Sequence, residues 1–230
     1  MKSLGSYLKS LGTDRSPARL WLRSLQAAGV ALLLSTLPVT APAHAVPASA
    51  TTAGAHVYLL RGVLNIFSLG LDDIAARLEA QGIPTTVVNY LAWPSLADEA
   101  AAAYRSGRVR TIILVGHSSG ATVLPDMVAR LDQLGAPVKL AIGLDSVFRT
   151  SLSGRVGKYI NFYIANGNGE PVAPTQQLRG SLENVNVQNV PGVGHVTIDK
   201  NESIQRKVIA AIDSVVFAGA RSKEATELTR

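Results

Sequence analysis

Apolar residues in this chain follow two patterns, short near-continuous runs and longer stretches with helical spacing. The runs predict strands at residues 56–62, 83–90, 111–115, 138–145 and 158–166, and an alternating segment at 184–190 predicts an edge strand. The helical stretches lie between them, at about 69–80, 95–107, 122–131 and 201–218. Expected N-terminal caps are Ser68, Ser95 with Asp98, and Asn201. Strands alternating with helices predict an α/β domain, with a mostly parallel central sheet covered by helices on both faces.

The third apolar run leads directly into Gly116-His117-Ser118-Ser119-Gly120, and a helical pattern follows. In a strand, tight turn and helix, the G-x-S-x-G pattern is typical of a nucleophile elbow. The serine must adopt a strained backbone conformation that lifts its Oγ above the sheet edge. A β-carbon at either flanking glycine would crowd the neighbouring strand or helix. We therefore predict that Ser118 is a nucleophile; the alternative is a Gly/Ser-rich turn that packs or binds an anion.

A serine nucleophile needs a base, which at neutral pH is usually histidine, and the chain has four. His44 lies in a predicted leader, and His56 begins a strand, at the wrong edge of a parallel sheet. His117 adjoins Ser118, so its side chain leaves the elbow in a different direction. His195 remains, in a Gly-rich loop after the last strand, where it can fold over the carboxyl edge of the sheet. We predict that His195 is the base; its alternative role is capping the final helix.

The carboxylate that orients the base should lie at the same edge, between Ser118 and His195 in the chain. Asp145 directly ends a predicted strand and is the preferred candidate, because a strand end holds a carboxylate rigidly. Glu170, in the loop after the next strand, is the alternative acid. Asp145 could otherwise cap the following turn. Asp126 and Asp132 are expected on the helix that follows Ser118. Glu183 is expected before a strand, at the opposite edge, and Asp199 at the start of a helix.

Acyl transfer also requires an oxyanion hole, for which two backbone N–H groups are predicted. Ser119 supplies one, because it follows the nucleophile at the start of the helix. Val63 supplies the other, because it follows the glycine that ends the first strand. Arg61 is expected to tie this loop down, although it could instead face a ligand. Trp93 could line an acyl pocket, but packing is the commoner role of a single tryptophan.

The amino terminus has the composition of a secretory signal peptide. Residues 1–26 carry five basic residues and one acid, an apolar run extends from Ala27 to about Val39, and Ala43-His44-Ala45 provides a small-x-small cleavage site. The run is too short for a membrane-spanning helix of roughly 20 residues. We therefore predict a signal peptide at 1–45, a disordered lead-in at 46–55, one domain at 56–220 and a polar tail at 221–230.

Removing the leader changes the charge of the chain. Five of 22 basic and one of 16 acidic residues are lost, which lowers the net charge from +6 to +2. No basic stripe remains, so a nucleic-acid partner is not expected. The chain has no cysteine, which excludes disulfides, thiolate metal sites and a lipoprotein anchor. We expect no stable membrane anchor after cleavage; the oligomeric state stays open.

Taken together, these motifs resemble those of the α/β-hydrolase superfamily over residues 56–218. The matching segments are Leu60-Arg61-Gly62, Gly116-His117-Ser118-Ser119-Gly120, Gly143-Leu144-Asp145 and Gly194-His195. The Gly-His-Ser-x-Gly form is similar to that of lipases and esterases, and Asp145 resembles the acid of lipases that carry it one strand early. Arg61-Gly62 stands where a His-Gly pair is commoner. The resemblance implies an α/β-hydrolase fold. The spans after Asp145 are short and leave little sequence for a large lid, so a compact, open site with little or no lid is expected.

The expected function is that of an exported serine hydrolase, periplasmic or secreted, that cleaves a small-molecule or lipid ester. No metal or organic cofactor is needed for this chemistry. An acyltransferase or thioesterase would use the same triad, and a non-catalytic binding protein of the same fold is a further alternative. A nucleotide-binding domain is disfavoured, because the first turn, Arg61-Gly62-Val63-Leu64-Asn65, lacks both G-x-G-x-x-G and a P-loop lysine.

Overall fold

The computed structural model describes residue 52, residues 54–167 and residues 169–218. The predicted signal peptide, most of the predicted lead-in and the predicted polar tail lie outside these described residues. The strands are β1 (Ala55–Arg61), β2 (Thr85–Asn89), β3 (Thr111–His117), β4 (Val138–Leu144), β5 (Ser151–Leu152), β6 (Arg155–Tyr163), β7 (Ala173–Pro174) and β8 (Arg179–Asn186). The α-helices are α1 (Gly70–Glu79), α2 (Trp93–Arg105), α3 (Ser119–Gln133) and α4 (Glu202–Val216), and 3-10 turns occupy Ile66–Ser68 and Tyr90–Ala92.

Six strands form one sheet in the order β2-β1-β3-β4-β6-β8, and every neighbouring pair is parallel. Strands β5 and β7 form a separate parallel pair. Since all six strands run in the same direction, their carboxyl ends lie at one edge of the sheet. The loops that leave this edge carry the motifs described above.

Helices cover both faces of the sheet, which confirms the predicted fold class. On one face, Leu60 of β1 packs in a buried cluster with residues of α2 and α3. On the other, its neighbour Leu59 packs in a second cluster with residues of α1 and α4. Successive strand side chains point to opposite faces. Because both faces are dry, β1, β3 and β4 appear in the sequence as continuous apolar runs.

The edge strand is displaced from its predicted position. It spans Arg179–Asn186 rather than 184–190, and most of its residues are exposed. Hydrophobic alternation therefore constrains its position weakly. Strand β6 likewise begins three residues before its predicted start, and the short β5–β7 pair was not predicted. Residues 145–154 and 164–178, which connect β4, β6 and β8, contain no helix where the structure describes them.

Helix α1 is capped by a residue distant in sequence, so the predicted cap at Ser68 is wrong. The helix begins at Gly70, whose N–H donates to Oδ2 of Asp199 at 2.8 Å. Ser68 is buried in the preceding 3-10 turn. The expectation that Asp199 starts the last helix is also wrong, because the cap of α4 is Asn201.

The predicted capping box at Ser95 and Asp98 is also wrong, because α2 begins two residues earlier, at Trp93. Ser95 Oγ donates to the carbonyl of Ala92, and Asp98 pairs with Arg130 on α3. Pro94 fits this earlier start, because proline is favoured in the first helical turn. By contrast, the Asn201 cap is confirmed: its side chain accepts from the N–H groups of Ser203 and Ile204. Of the helices in the described part of the chain, none has the length and apolar character required to span a membrane.

Candidate active site

Ser118 lies at the apex of a tight turn between β3 and α3. Its backbone has φ 59° and ψ −123°, a left-handed conformation that non-glycine residues rarely adopt. The turn is held in place because the N–H of Ser118 donates to the carbonyl of Leu144, at the end of β4. A strained serine between a strand and a helix is the geometry predicted for a nucleophile elbow.

The glycines on either side of Ser118 permit this turn by allowing close backbone contacts. A β-carbon on Gly116 would lie 2.5 Å from the carbonyl oxygen of Gly120, at the start of α3. A β-carbon on Gly120 would overlap the carbonyl oxygen of Leu60 on β1. Both contacts are with backbone, which cannot rotate away. The predicted crowding of the helix and of the neighbouring strand is confirmed.

The structure brings Ser118, His195 and Asp145 into one hydrogen-bonded series. Ser118 Oγ lies 3.0 Å from His195 Nε2, and His195 Nδ1 lies 2.6 Å from Asp145 Oδ2. An ionised carboxylate can only accept hydrogen bonds, so Nδ1 of His195 carries the donated proton. Nε2 is then free to accept the proton of the serine hydroxyl. The geometry matches the order and spacing that a serine nucleophile and its base require.

Asp145 is held rigidly. It is fully buried and follows β4 directly, with φ 49°. Its second oxygen, Oδ1, accepts from the N–H of Ile164 at 3.0 Å, and its own N–H donates to the carbonyl of Phe162. A β-carbon on Gly169 would overlap Oδ1, so the loop packs tightly against the carboxylate. These contacts leave Oδ2 to face His195.

The other acids lie in different environments. Glu170, the alternative acid, pairs with Arg149 at 2.6 Å; the Arg149 side chain is largely exposed and that of Glu170 about half exposed. Asp145, and not Glu170, is therefore the carboxylate in contact with His195. Asp132 on α3 pairs with two arginines from the sheet, and Glu183 on β8 pairs with Lys158.

Besides His195, two histidines lie within the described residues, and neither is paired with the Ser118 hydroxyl, as predicted. His56 lies at the start of β1, where Nε2 is 2.8 Å from Thr86 Oγ1 and the ring stacks on Tyr58. His117 is fully buried, and its ring nitrogens contact Ser68 and the backbone of His195 rather than the Ser118 hydroxyl. His44 lies outside the described residues.

A cavity of about 440 Å³ opens beside Ser118 and His195. Val63 and Ser119, the predicted oxyanion donors, both line it. The N–H of Ser119 lies at the start of α3, where the helix dipole presents partial positive charge. In the loop after β1, the N–H of Gly62 is already engaged with Ser68 Oγ at 2.9 Å, which leaves the amide of Val63 as the next donor along the loop.

Arg61 has the structural contacts that were expected of it. Its guanidinium forms a two-point ion pair with Asp72 in the first turn of α1, including an Nε–Oδ2 contact of 3.1 Å. This pair fixes the start of the loop that carries Val63. Trp93 packs against the buried cluster under α2 and α3, as expected for a packing residue. Among the described residues, no group of three or more His, Cys, Asp or Glu side chains is arranged to hold a metal ion.

Comparison with known proteins gives matches at the level of structure. No protein-family model and no curated protein matches the chain. It is similar to an acetylxylan esterase (15% identity, TM-score 0.47, 71% of this chain and 98% of the esterase). It is also similar to the thioesterase domain that cyclises the lipopeptide antibiotic surfactin (11% identity, TM-score 0.47, 70% of this chain and 90% of that domain). A third similar structure, from Xanthomonas campestris pv. campestris, is assigned to the alpha/beta superfamily of hydrolases (15% identity, TM-score 0.44, 70% of this chain and 99% of that chain).

Three polar residues around the site have structural roles that the sequence did not predict. Ser68, His117 and Asp199 are all fully buried, and each forms hydrogen bonds to segments far away in the chain. One signal was available for His117: a histidine enclosed between an apolar strand and a buried turn needs partners for both ring nitrogens. Ser68 and Asp199 lie in connecting segments between strands and helices, and their partners are distant in sequence, so no local pattern indicated these roles.

Proposed function

We propose that this protein is a serine hydrolase that cleaves an ester through an acyl-enzyme on Ser118. The observation that carries the proposal is the hydrogen-bonded series from Ser118 Oγ through His195 to the buried carboxylate of Asp145. Ser118 has the strained turn of a nucleophile elbow. The contact of His195 Nδ1 with the Asp145 carboxylate favours the tautomer that a general base needs.

In the first half-reaction, Ser118 Oγ attacks the ester carbonyl carbon while His195 Nε2 takes the hydroxyl proton. The ester carbon–oxygen bond then breaks, and the same proton passes from Nε2 to the departing alkoxide, which leaves as the alcohol. In the second half-reaction, water attacks the acyl-enzyme, and Nε2 takes a proton from this water. It returns the proton to Ser118 Oγ as the carboxylic acid leaves. Asp145 stabilises the imidazolium that forms in each half.

Charge on the carbonyl oxygen builds up in both tetrahedral intermediates. We assign its stabilisation to the N–H groups of Ser119 and Val63, because both residues line the cavity, one at the start of α3 and the other in the loop after β1. Donors that are already oriented cost no reorganisation when the charge forms. The ion pair between Arg61 and Asp72 supports the loop on the Val63 side.

The substrate is best matched by an ester with an apolar acyl group, which favours a carboxylesterase or lipase. Apolar side chains line the cavity next to Ser118, including Phe67, Val147, Phe148 and Val196. In the described part of the chain, the large exposed apolar residues all follow carboxyl ends of strands, and they are Val63, Leu64, Ile66, Phe67, Leu69, Leu91, Phe148 and Val196. Such a concentration at one edge is typical of a surface that contacts an apolar ligand.

We expect hydrolysis of p-nitrophenyl esters by the protein to become faster with acyl chain length before it levels off. Each buried methylene contributes about 0.8 kcal/mol, or up to about fourfold in kcat/KM, until the cavity is filled. Phe148→Ser should flatten this rise and leave acetate hydrolysis nearly unchanged, so acetate serves as the internal control. A fluorophosphonate probe should label Ser118. If no ester were hydrolysed faster than in the absence of the protein, and Ser118 stayed unlabelled, the proposed serine hydrolase activity would be refuted.

We further propose that the protein is exported, from the basic leader, the apolar run and the Ala43-His44-Ala45 site. Mass spectrometry of the protein recovered from the producing cells should give a mature amino terminus at Val46. An intact Met1 on the exported protein would contradict cleavage at this site, and retention of the whole pool in the cytoplasm would contradict export.

A further inference from the structure

His117 precedes the proposed nucleophile in the chain, and the proposed reaction assigns it no step. Its side chain is fully buried, and both of its ring nitrogens have partners. Nε2 lies 2.7 Å from the backbone carbonyl oxygen of His195, and Nδ1 lies 2.9 Å from Ser68 Oγ. Ser68 Oγ in turn lies 2.9 Å from the backbone nitrogen of Gly62. One imidazole thus connects the loop of the base with the loop after β1.

The chemistry of these groups fixes the direction of each hydrogen bond. A carbonyl oxygen can only accept, so His117 Nε2 must carry a proton and donate it to His195. In a neutral ring Nδ1 is then an acceptor, and the hydroxyl of Ser68 donates to it. The N–H of Gly62 donates to the same hydroxyl oxygen. Every donor meets an acceptor only when His117 is the neutral Nε2–H tautomer.

The surroundings of His117 favour this neutral form. Burial lowers the pKa of His117, which opposes the raising effects of the Asp199 carboxylate and of the hydrogen bond to the His195 carbonyl. His195 and Lys200 act on the pKa in the same direction as burial. Neutrality also suits the proposed reaction, because the two rings lie 5.4 Å apart and His195 becomes an imidazolium during each half-reaction.

We propose that His117 is a positioning residue that holds the backbone of His195, and through Ser68 the backbone of Gly62, against the nucleophile elbow. The inference rests on the proposed function. His195 lies in a loop outside any helix or strand, so the position of its side chain depends on what fixes its backbone. Gly62 is next to Val63, the proposed oxyanion donor. His117 therefore sets the distances from Ser118 to the base and to one side of the oxyanion hole.

Two amide substitutions separate the contacts of His117. A glutamine nitrogen stands as many bonds from the β-carbon as Nε2 does, so His117→Gln can still donate to the His195 carbonyl. An asparagine ends at the position of Nδ1, so His117→Asn can reach Ser68 but not His195. We expect His117→Asn to lower kcat by about 10²-fold with little change in KM, because a displacement of about 1 Å can have an effect of that size. The kcat of His117→Gln should stay within about tenfold of the wild-type value. The control variant His56→Asn, at the opposite edge of the sheet, should have the kcat of the wild type.

The rate of Ser118 labelling by a fluorophosphonate should follow the same order as kcat. Equal rates in the wild type and in folded His117→Asn would overturn the positioning role. An unreactive wild type would instead refute the proposed function. If the variants do not fold, ¹⁵N NMR of the wild-type histidines decides: a proton on Nε2 and none on Nδ1 of His117 supports the inference, and the reverse tautomer overturns it.

Discussion

Replacing Ser118 with alanine is expected to lower kcat/KM for p-nitrophenyl ester hydrolysis by about 10³-fold or more. Alanine removes the oxygen that would form the acyl-enzyme, and His195 then has no hydroxyl to deprotonate. The fold should be retained, because the hydrogen bond that holds the turn runs from the backbone N–H of Ser118 to Leu144, and alanine keeps this N–H. Only the contact of the hydroxyl with His195 is lost. Steady-state kinetics with thermal unfolding of both proteins checks the prediction.

Ser119→Ala is the matched control for this experiment. The neighbouring serine is assigned only a backbone N–H, which alanine keeps, so activity should remain within a few-fold of the wild type. Fluorophosphonate labelling should be lost in Ser118→Ala and kept in Ser119→Ala. Retained activity in the first variant, or a label on Ser119, would show that Ser118 is not the nucleophile.

Asp145→Asn is expected to lower kcat by about 10⁴-fold, because the carboxylate that accepts from His195 Nδ1 is replaced by an amide. An amide oriented with its nitrogen toward the ring would stabilise the tautomer whose Nε2 carries a proton and cannot take another. The exchange conserves size, and the amide oxygen can still accept from the N–H of Ile164. The loss should therefore appear in kcat and in the labelling rate of Ser118, with a folded protein.

Glu170→Gln tests the alternative acid in the same assay. Glu170 is paired with Arg149 on an exposed surface, and pairs of this kind contribute little to stability. We expect kcat and KM of this variant to remain within about twofold of the wild type. If Glu170→Gln were instead the weaker enzyme and Asp145→Asn the active one, the acid would have to be reassigned.

The elements and the site were predictable to different degrees, for physical reasons. The sheet and its helices follow from hydrophobic periodicity, because β1, β3 and β4 are buried on both faces. The exposed strand β8 was shifted, since its side chains have no dry face that fixes their positions. The Asn201 cap was predicted correctly, whereas two others were not: α1 is capped by Asp199, far along the chain, and α2 begins at Trp93, before the local pattern at Ser95.

The sequence by itself determined the strand, turn and helix around Ser118 and the positions of Asp145 and His195 after predicted strands. These features depend on neighbouring residues and on the rule that parallel strands end at one edge. Only the tertiary structure decided that Asp145, and not Glu170, contacts His195. It also decided that His117 joins Ser68 to the backbone of His195, across separations of 49 and 78 residues. Such contacts depend on how segments that are distant in sequence pack against each other, and no local pattern of residues identifies the partners.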